Sequence, residues 1–347
     1  RYMTRSGRID DARLTSMAPK FMAFVAAKRA TEPAVLSPIV PDPVPTDTPG
    51  AREIGFRVPE RYNASALLFD NLAAGRADKV AVACGDRTLT YAALCELASR
   101  AGNGLAALGL ARGGRLACLL ADTPEYPAAI FGALRAGFVP VLLNTLSTPE
   151  LVAYFVADSG AECVLADAQF AALLSHPSLA ATRLRHVIVV GEGTQPDLGL
   201  VNVTRWEDWV AAQAPELEAC DTHRDEMALW MYSSGSTGRP KGVVHLHHDL
   251  PYTWESYGRH VLQLREDDVV FSPPKIFFAY GFGNSCTFPF AAGATAVLHP
   301  GRPDAESVYH VIERHRPTVL FGLPTLYNAL IAHPRSESRD LRSLRLC

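Results

Sequence analysis

The chain has 347 residues, of which 48% are hydrophobic and 20% are charged, a composition that supports about two globular domains with a large core. The formal net charge of −3 excludes a strongly basic chain, so we expect no nucleic-acid partner. No run of about 18 apolar residues is present, so we expect no membrane-spanning helix. The seven cysteines are scattered and form no CxxC pair, which predicts buried free thiols in a cytoplasmic protein rather than disulfides or a zinc site.

The first 55 residues differ in composition from the rest of the chain. Residues 1–30 carry seven basic side chains against two acidic ones, and residues 33–49 contain six prolines. Proline fixes φ and removes a backbone donor, so residues 1–55 are predicted to be a disordered tail and a proline-rich linker. A targeting peptide is the alternative, but the apolar run at residues 21–27 is short for one. The folded part is expected to start near Phe56.

Helix and strand signals alternate through residues 56–220, the first predicted α/β subdomain. Three helices are predicted from their start and stop residues: one after Thr90, one from Thr123-Pro124 to Gly137, and one from Thr148-Pro149 to Gly160. Short apolar runs predict strands at residues 138–143, 163–166 and 186–190. Such β-α-β alternation indicates a largely parallel sheet covered by helices.

Residues 192–225 are more polar and are predicted to link two sheets. The alternation then resumes in residues 221–347, the second predicted subdomain. Its predicted strands are residues 229–232, 242–246, 269–271, 294–298 and 318–321. A helix is predicted over residues 304–315, and another is expected to begin at Pro324.

A segment rich in small polar residues has the composition of a phosphate-binding loop. Residues 232–242 read Tyr-Ser-Ser-Gly-Ser-Thr-Gly-Arg-Pro-Lys-Gly and lie between two apolar runs. Glycine lets backbone N–H groups approach an anion, hydroxyls add neutral donors, and lysine adds a compact positive charge. The segment therefore predicts a tight loop that binds a triphosphate. The residues expected to contact the phosphates are Ser233, Ser234, Gly235, Ser236, Thr237, Gly238 and Lys241.

Two other kinds of loop have a similar composition. A flexible Gly/Ser surface loop is one, but Arg-Pro-Lys-Gly directly before an apolar strand is not typical of loose loops. The P-loop of many ATPases is the other, and it needs four residues between its glycines followed by Gly-Lys-Ser/Thr. Here Gly235 and Gly238 are three positions apart, and Lys241 is followed by Gly242, so the spacing differs.

The segment resembles the phosphate-binding signature of adenylate-forming enzymes, which include acyl- and aryl-CoA ligases, luciferases and peptide-synthetase adenylation domains. Residues 89–91 (Leu-Thr-Tyr) and 134–140 (Leu-Arg-Ala-Gly-Phe-Val-Pro) are similar to earlier core motifs of that superfamily. The resemblance covers about residues 56–347 and implies an α/β fold, the large N-terminal domain with two helix-flanked β-sheet subdomains. Because the chain starts at Arg1 and the later family motifs are not found, we expect an incomplete domain, without the small C-terminal domain, from a longer enzyme.

Two further segments are similar to benzoate-CoA ligases: residues 58–63 (Val-Pro-Glu-Arg-Tyr-Asn) and 275–284 (Lys-Ile-Phe-Phe-Ala-Tyr-Gly-Phe-Gly-Asn). The second corresponds to their acyl pocket, which implies that Phe278 is the gate and that Ala279 and Tyr280 face the aryl ring. An aromatic neighbour stabilises a bound ring by about 0.5–1.5 kcal/mol beyond its area burial. The resemblance also implies substrate contacts by Gly281, Gly283, Gly322 and Pro324.

Structural roles are open for several of these residues. Phe277, Phe278 and Tyr280 could be core aromatics, and an extended segment would put Phe278 and Tyr280 on one face and Phe277 on the other. The turn from Gly322 to Pro324 is equally well explained as a strand-to-helix connection.

Three histidines follow the loop. His247 matches the family's histidine at this point, and His245 and His248 flank it. No carboxylate or cysteine is clearly spaced to complete a metal site with them, so we favour structural or supporting roles.

The resemblance implies a two-step reaction. A carboxylate attacks the α-phosphate of Mg-ATP to give an acyl-adenylate and pyrophosphate, and coenzyme A then displaces AMP. ATP, Mg²⁺ and coenzyme A are thus the implied cofactors and co-substrates, with Lys241 supporting the phosphates and Thr237 as a candidate contact for Mg²⁺. No residue of this chain is assigned as catalytic.

The leading hypothesis is activation of an aromatic carboxylate, benzoate or hydroxybenzoate, to its CoA thioester as part of a longer enzyme, with a homodimer left open. One alternative is a ligase for another acyl acid, such as a fatty acid. A second is a non-catalytic remnant that at most binds nucleotide or aryl acid.

Overall fold

The computed structural model describes residues 56–193, 199, 201–233 and 239–347. The predicted tail and linker over residues 1–55 lie outside these ranges, as do residues 234–238 of the predicted phosphate loop. The strands of the described residues are β1 (Val80–Cys84), β2 (Arg87–Thr90), β3 (Arg115–Leu119), β4 (Val139–Leu142), β5 (Cys163–Asp167), β6 (His186–Val190), β7 (Asn202–Arg205), β8 (Met227–Ser233), β9 (Lys241–Leu246), β10 (Val269–Phe271), β11 (Thr295–Leu298) and β12 (Val319–Leu320). The α-helices are α1 (Ala66–Ala73), α2 (Tyr91–Ala107), α3 (Glu125–Ala136), α4 (Pro149–Ser159), α5 (Trp206–Ala211), α6 (Asp249–Thr253), α7 (Ala279–Phe282), α8 (Phe288–Ala292), α9 (Ala305–His315) and α10 (Pro324–Ala332).

These strands form two sheets. One has seven strands in the order β7-β6-β5-β3-β4-β8-β9, and the other has five in the order β12-β10-β11-β1-β2. All neighbours are parallel except β9, which is antiparallel to β8, and β2, which is antiparallel to β1. The predicted, largely parallel α/β architecture is therefore confirmed.

The two sheets do not follow one another along the chain. The five-stranded sheet combines β1 and β2 with β10 to β12, and the seven-stranded sheet combines β3 to β7 with β8 and β9. The predicted boundary at residue 220 therefore does not separate the sheets. The prediction that residues 192–225 link two sheets was wrong, because β7 pairs with β6 there and α5 follows it. Strand β7 (Asn-Val-Thr-Arg) lies at the sheet edge, where no apolar run is needed to form a strand.

The predicted helix signals act through local hydrogen bonds. Thr90 accepts the Ala93 amide at 3.2 Å and caps α2, and Thr148 caps α4 in the same way. Gly137 ends α3 with a φ of 82°, in the left-handed region that glycine adopts without strain. Helix α3 begins one residue later than predicted, at Glu125. No helix in the described ranges is both long enough and apolar enough to cross a bilayer.

A shared core joins the two sheets. Its largest cluster combines buried residues of β1 and β11 with residues of β3, β4 and β8 and with helices α2 and α3. A second cluster covers the opposite face of the seven-stranded sheet under α4, and a third lies between the five-stranded sheet and α9. The predicted buried thiols are confirmed for five of the seven cysteines, and all seven are free: Cys84, Cys95, Cys118, Cys163 and Cys286 are buried, Cys220 is half-buried and Cys347 is exposed.

Helices α2 and α3 pack through two glycines. A Cβ atom on Gly132 would lie 2.2 Å from the Ala98 carbonyl oxygen, and one on Gly102 would lie 2.6 Å from the Gly132 carbonyl oxygen. These distances are too short for any side chain, so glycine at both positions sets how closely the two backbones approach.

We expect Gly132→Ala to lower the free energy of unfolding. Helix propensity alone would raise it by about 1 kcal/mol, whereas forcing the two helices apart typically costs about 1–3 kcal/mol. Urea unfolding of both proteins measures the balance. A gain in stability would show that α2 and α3 separate at little cost and would contradict this account.

Candidate functional site

The predicted phosphate loop joins the paired ends of β8 and β9. Ser233, the last residue of β8, is directly opposite Lys241, the first residue of β9, and both are exposed. The hairpin lies at the carboxyl end of β8, which runs parallel to β4. Ser234, Gly235, Ser236, Thr237 and Gly238 lie outside the described residues, so their phosphate contacts stay predictions.

Helix α4 holds both ends of this loop from one face of the sheet. The Tyr232 hydroxyl donates to the Asp158 carboxylate at 2.7 Å, just before the loop. The Tyr154 hydroxyl donates to the Pro240 carbonyl at 3.0 Å, just after it. These two hydrogen bonds connect the residues on either side of the loop to α4, so α4 helps to fix the position of Lys241.

The opposite face of the hairpin looks onto a cavity. Strand alternation places Lys241 and His245 on the same face of β9, about 13 Å apart at 3.3 Å per residue. The register pairs Lys241 with Ser233 and His245 with Leu229, and these share a face with Met231. A phosphate bound at Lys241 and a ligand bound beside His245 would therefore lie on the same side of the sheet.

The cavity has the size of one aromatic ring. Its volume is about 130 Å³, close to the engineered apolar cavity of about 150 Å³ that binds benzene in another protein. Two elements form its walls, the β8–β9 hairpin with α6 and the helical segment that begins with α7. The lining residues are Met231, His245, Asp249, Leu250 and Thr253 on the first side and Ala279, Phe282, Gly283, Thr287 and Phe288 on the second.

The predicted acyl-pocket segment is helical, so the alternation considered for an extended segment does not apply. The Phe282 amide donates to the Phe278 carbonyl at 2.8 Å, and α7 starts directly after Phe278. A wider helical turn over Gly283–Thr287 continues into α8. Residues four apart share a helix face, which explains why Ala279 and Gly283 line the cavity together. The glycines and aromatic residues of this segment favour neither a strand nor a helix, so the sequence alone did not predict the helix.

The aromatic residues of this segment divide into two kinds. Phe277 is only 4% exposed and packs in the core, whereas Phe278 and Tyr280 are 47% and 40% exposed. The core-packing alternative therefore describes Phe277 and not the other two. Tyr280 contacts Phe321 edge to face, with ring centroids 6.2 Å apart. Phe278 and Tyr280 do not line the cavity described above.

The turn after β12 meets Tyr280. Burial raises the pKa of the Tyr280 hydroxyl, and a hydrogen bond from the Gly322 backbone partly offsets this. A Cβ on Gly322 would lie 3.0 Å from the Tyr327 ring, so this position favours glycine for packing. Pro324 is exposed and starts α10. The structure thus brings Gly322 to Tyr280, while Pro324 has the helix-start role that sequence reasoning left open.

A buried ion pair that sequence reasoning missed holds the start of the acyl-pocket segment, residues 275–284, in place. The Lys275 ammonium lies 3.6 Å from the Asp122 carboxylate and donates to the His299 carbonyl at 2.5 Å. The Ile276 amide donates to the other Asp122 oxygen at 3.2 Å. Burial raises the pKa of Asp122 to about 6, although Lys275 opposes the shift. The available signal was an acidic residue directly after the apolar run of β3.

Gly281 belongs to this support. A Cβ at this position would lie 2.0 Å from the Lys275 carbonyl oxygen. Helix α7 therefore crosses the backbone of Lys275 at a distance that only glycine allows. A Cβ on Gly283 would meet only the Phe288 ring, at 3.1 Å.

The AMP-binding enzyme family model matches residues 69–347. The chain belongs to the AMP-binding enzyme family. It is 43% identical over 288 residues to the 4-hydroxybenzoate–CoA/benzoate–CoA ligase of Rhodopseudomonas palustris, covering 82% of this chain and 52% of that protein. It is 37% identical over 294 residues to the benzoate–CoA ligase of Thauera aromatica, covering 84% of this chain and 54% of that protein.

Solved structures of two CoA ligases share the fold of this chain over about half of their own length. An anthranilate CoA ligase in complex with anthranoyl-AMP superimposes with a TM-score of 0.78 at 36% identity, covering 84% of this chain and 55% of that one. A benzoate CoA ligase from Burkholderia xenovorans LB400 superimposes with a TM-score of 0.72 at 37% identity, covering 82% of this chain and 54% of that one. These matches confirm the predicted fold, the large N-terminal domain of adenylate-forming enzymes. The chain spans about half the length of the relatives it matches.

His247, the histidine that matches the AMP-binding family's pattern, is a buried structural residue. Its Nδ1 accepts the Ala64 amide at 3.0 Å, and burial lowers its pKa to about 4. His245 and His248 instead approach Asp249, at 3.6 and 3.1 Å. In the ranges that the structure describes, no group of three His, Cys, Asp or Glu residues is arranged to hold a metal ion.

Gly281→Ala is expected to destabilise the protein more than Gly283→Ala. A methyl group at Gly281 must displace the Lys275 backbone, at a typical cost of about 1–3 kcal/mol, whereas at Gly283 only a side-chain ring must shift. Urea unfolding of the two variants provides the comparison, since the added atoms are identical. Equal losses would contradict the close backbone crossing.

His247→Asn is expected to make stability less dependent on pH between 7 and 5. The pKa of His247 is lowered in the folded state, so its stabilisation is present above the unfolded value of about 6.5 and is lost as the pH falls toward 4. From pH 7 to pH 5 this loss is about 2 kcal/mol. Asparagine can keep an acceptor for the Ala64 amide but does not titrate.

The measurement is urea unfolding at both pH values, with His310→Asn as the control at an exposed histidine. An unchanged difference between pH 7 and pH 5 in the His247 variant would contradict the assignment.

Proposed function

We propose that the protein containing this chain activates an aromatic carboxylate, benzoate or a hydroxybenzoate, with ATP and then transfers the acyl group to coenzyme A. The observation that carries the proposal is the cavity of about 130 Å³ beside Ala279 and Gly283, which fits one aromatic ring. Relatives named as ligases for benzoate, 4-hydroxybenzoate and 3-hydroxybenzoate support the same substrate class. A long fatty acyl chain exceeds a volume of this size, which disfavours the fatty-acid alternative.

The first step joins two anions. An oxygen of the aryl carboxylate attacks the α-phosphorus of ATP, and the bond to pyrophosphate breaks. At about 4 Å and an effective dielectric of about 20, one pair of like charges repels by roughly 4 kcal/mol. In this proposal Lys241 offsets that repulsion at the phosphates, and the loop from Ser233 to Gly238 supplies further donors.

The cavity orients the acid for this attack. Apolar walls such as Met231, Phe282 and Phe288 hold the ring, and an oriented substrate reacts faster because less entropy is lost in the transition state. The same walls keep water away from the acyl-adenylate, a reactive mixed anhydride. Phe278 is proposed as the gate because its ring is half-exposed at the start of α7.

In the second step the thiolate of coenzyme A attacks the acyl carbon, and AMP leaves. We assign no residue of the described chain to this step. Mg²⁺ would neutralise charge on the ATP phosphates, and Thr237, its candidate contact, lies outside the described residues. The described residues offer no cluster of three His, Cys, Asp or Glu side chains for a cation, so none of them is assigned to hold Mg²⁺. Cytoplasmic location and a homodimer stay predictions.

The proposal is tested by pyrophosphate release from the complete gene product with ATP, Mg²⁺ and a panel of benzoates and alkanoates. We expect benzoate or a hydroxybenzoate to be the best substrate. Lys241→Ala should lower kcat/KM by about 10²-fold, the typical loss for one group that stabilises transition-state charge. Arg239→Ala is the matched control, because that guanidinium lies 5.6 Å above the Tyr154 ring on the other face.

Two outcomes would contradict the proposal. A preference for alkanoates over every benzoate would assign the cavity to another acid class. Equal activity of the wild type and Lys241→Ala would remove Lys241 from the phosphate site.

A further inference from the structure

Two polar side chains interrupt the apolar wall of the cavity. His245 and Asp249 both line it, and their side chains are 34% and 35% exposed. The His245 Nδ1 lies 3.6 Å from the Asp249 Oδ2. An unsubstituted benzene ring offers these groups no hydrogen bond when it covers them, so their presence in the wall needs an explanation.

Backbone and side-chain contacts fix the Asp249 carboxylate. Its Oδ2 accepts the Leu246 amide at 2.9 Å, and its Oδ1 lies 3.1 Å from the His248 Nε2. The carboxylate therefore faces the Nδ1 of His245 in a set orientation and favours the tautomer that carries its proton there. In that tautomer the Nε2 of His245 is an acceptor, and nothing in the described part of the chain donates to it.

The position of His245 along β9 indicates which end of a bound aromatic acid lies beside it. The carboxylate must approach the phosphates, which are proposed to bind at Lys241. His245 lies four residues further along the same face, about 13 Å away. It therefore faces the end of the ring that is remote from the carboxylate, where the meta and para substituents lie.

We propose that His245, held by Asp249, selects aromatic acids that carry a hydrogen-bond donor, a hydroxyl or an amino group, at the meta or para position. The donor gives its hydrogen to the Nε2 of His245. An acid without it buries that acceptor unpaired, and an unpaired buried polar group costs more than a hydrogen bond gains. This inference rests on the proposed function and names the substrate class within it.

The test compares benzoate, 3-hydroxybenzoate and 4-hydroxybenzoate with the complete gene product, by the kcat/KM of pyrophosphate release. We expect the better hydroxybenzoate to exceed benzoate by roughly tenfold, the equivalent of one hydrogen bond. His245→Leu should bring that ratio close to one. His245→Gln retains an acceptor and should keep part of the preference, which also covers the case in which the leucine variant fails to fold.

His310→Leu is the matched control. It removes an exposed histidine that does not line the cavity, so the ratio of the two kcat/KM values should stay within about twofold of the wild-type ratio.

Each contrary result has its own meaning. A wild-type preference for benzoate, or an unchanged ratio in both His245 variants, overturns this inference and leaves the aryl-acid ligase proposal standing. An equal loss in His310→Leu also overturns it, because the effect would then not come from the cavity wall. Failure of the wild type to release pyrophosphate with any benzoate overturns the proposed function, and this inference falls with it.

Discussion

One buried carboxylate connects the two sheets at the edge where the candidate site lies. Asp122 follows β3 of the seven-stranded sheet, and its partners Lys275 and Ile276 follow β10 of the five-stranded sheet. Removing one member of a buried ion pair typically costs about 3–5 kcal/mol, because the remaining charge is left uncompensated. The pair therefore fixes where the acyl segment starts. Helix α7 then returns across Lys275, and Gly281 permits that crossing.

The β8–β9 hairpin has two faces with different roles. On one face Tyr232 is bound by α4, which anchors the loop that follows. On the other face Lys241 and His245 look toward the helices that carry Ala279 and Gly283. Because side chains alternate along β8 and β9, the contacts that anchor the predicted phosphate loop lie on one face of the hairpin, and the candidate site lies on the other. A shift of one residue in the β8–β9 register would exchange these faces.

Much of the fold could be predicted because its signals are local. The Thr90 and Thr148 caps and the Gly137 stop need only the hydrogen bonds and φ values of neighbouring residues. Strand β7 was missed because an edge strand carries little apolar patterning. The first turn of α7 was missed because Ala-Tyr-Gly-Phe has no clear preference for helix over strand. The turn forms directly after Lys275, whose position is fixed by its ion pair with Asp122.

The sequence by itself determined the alternation of strands and helices and the run of small polar residues over residues 232–242 from which a phosphate loop is predicted. These follow from patterns within a few residues of one another. Only the tertiary structure decided that Ala279 and Gly283 face the same cavity as His245, and that Asp122 supports this segment. Such contacts join elements far apart in the chain, and packing between sheets and helices, rather than any local preference, sets their distances.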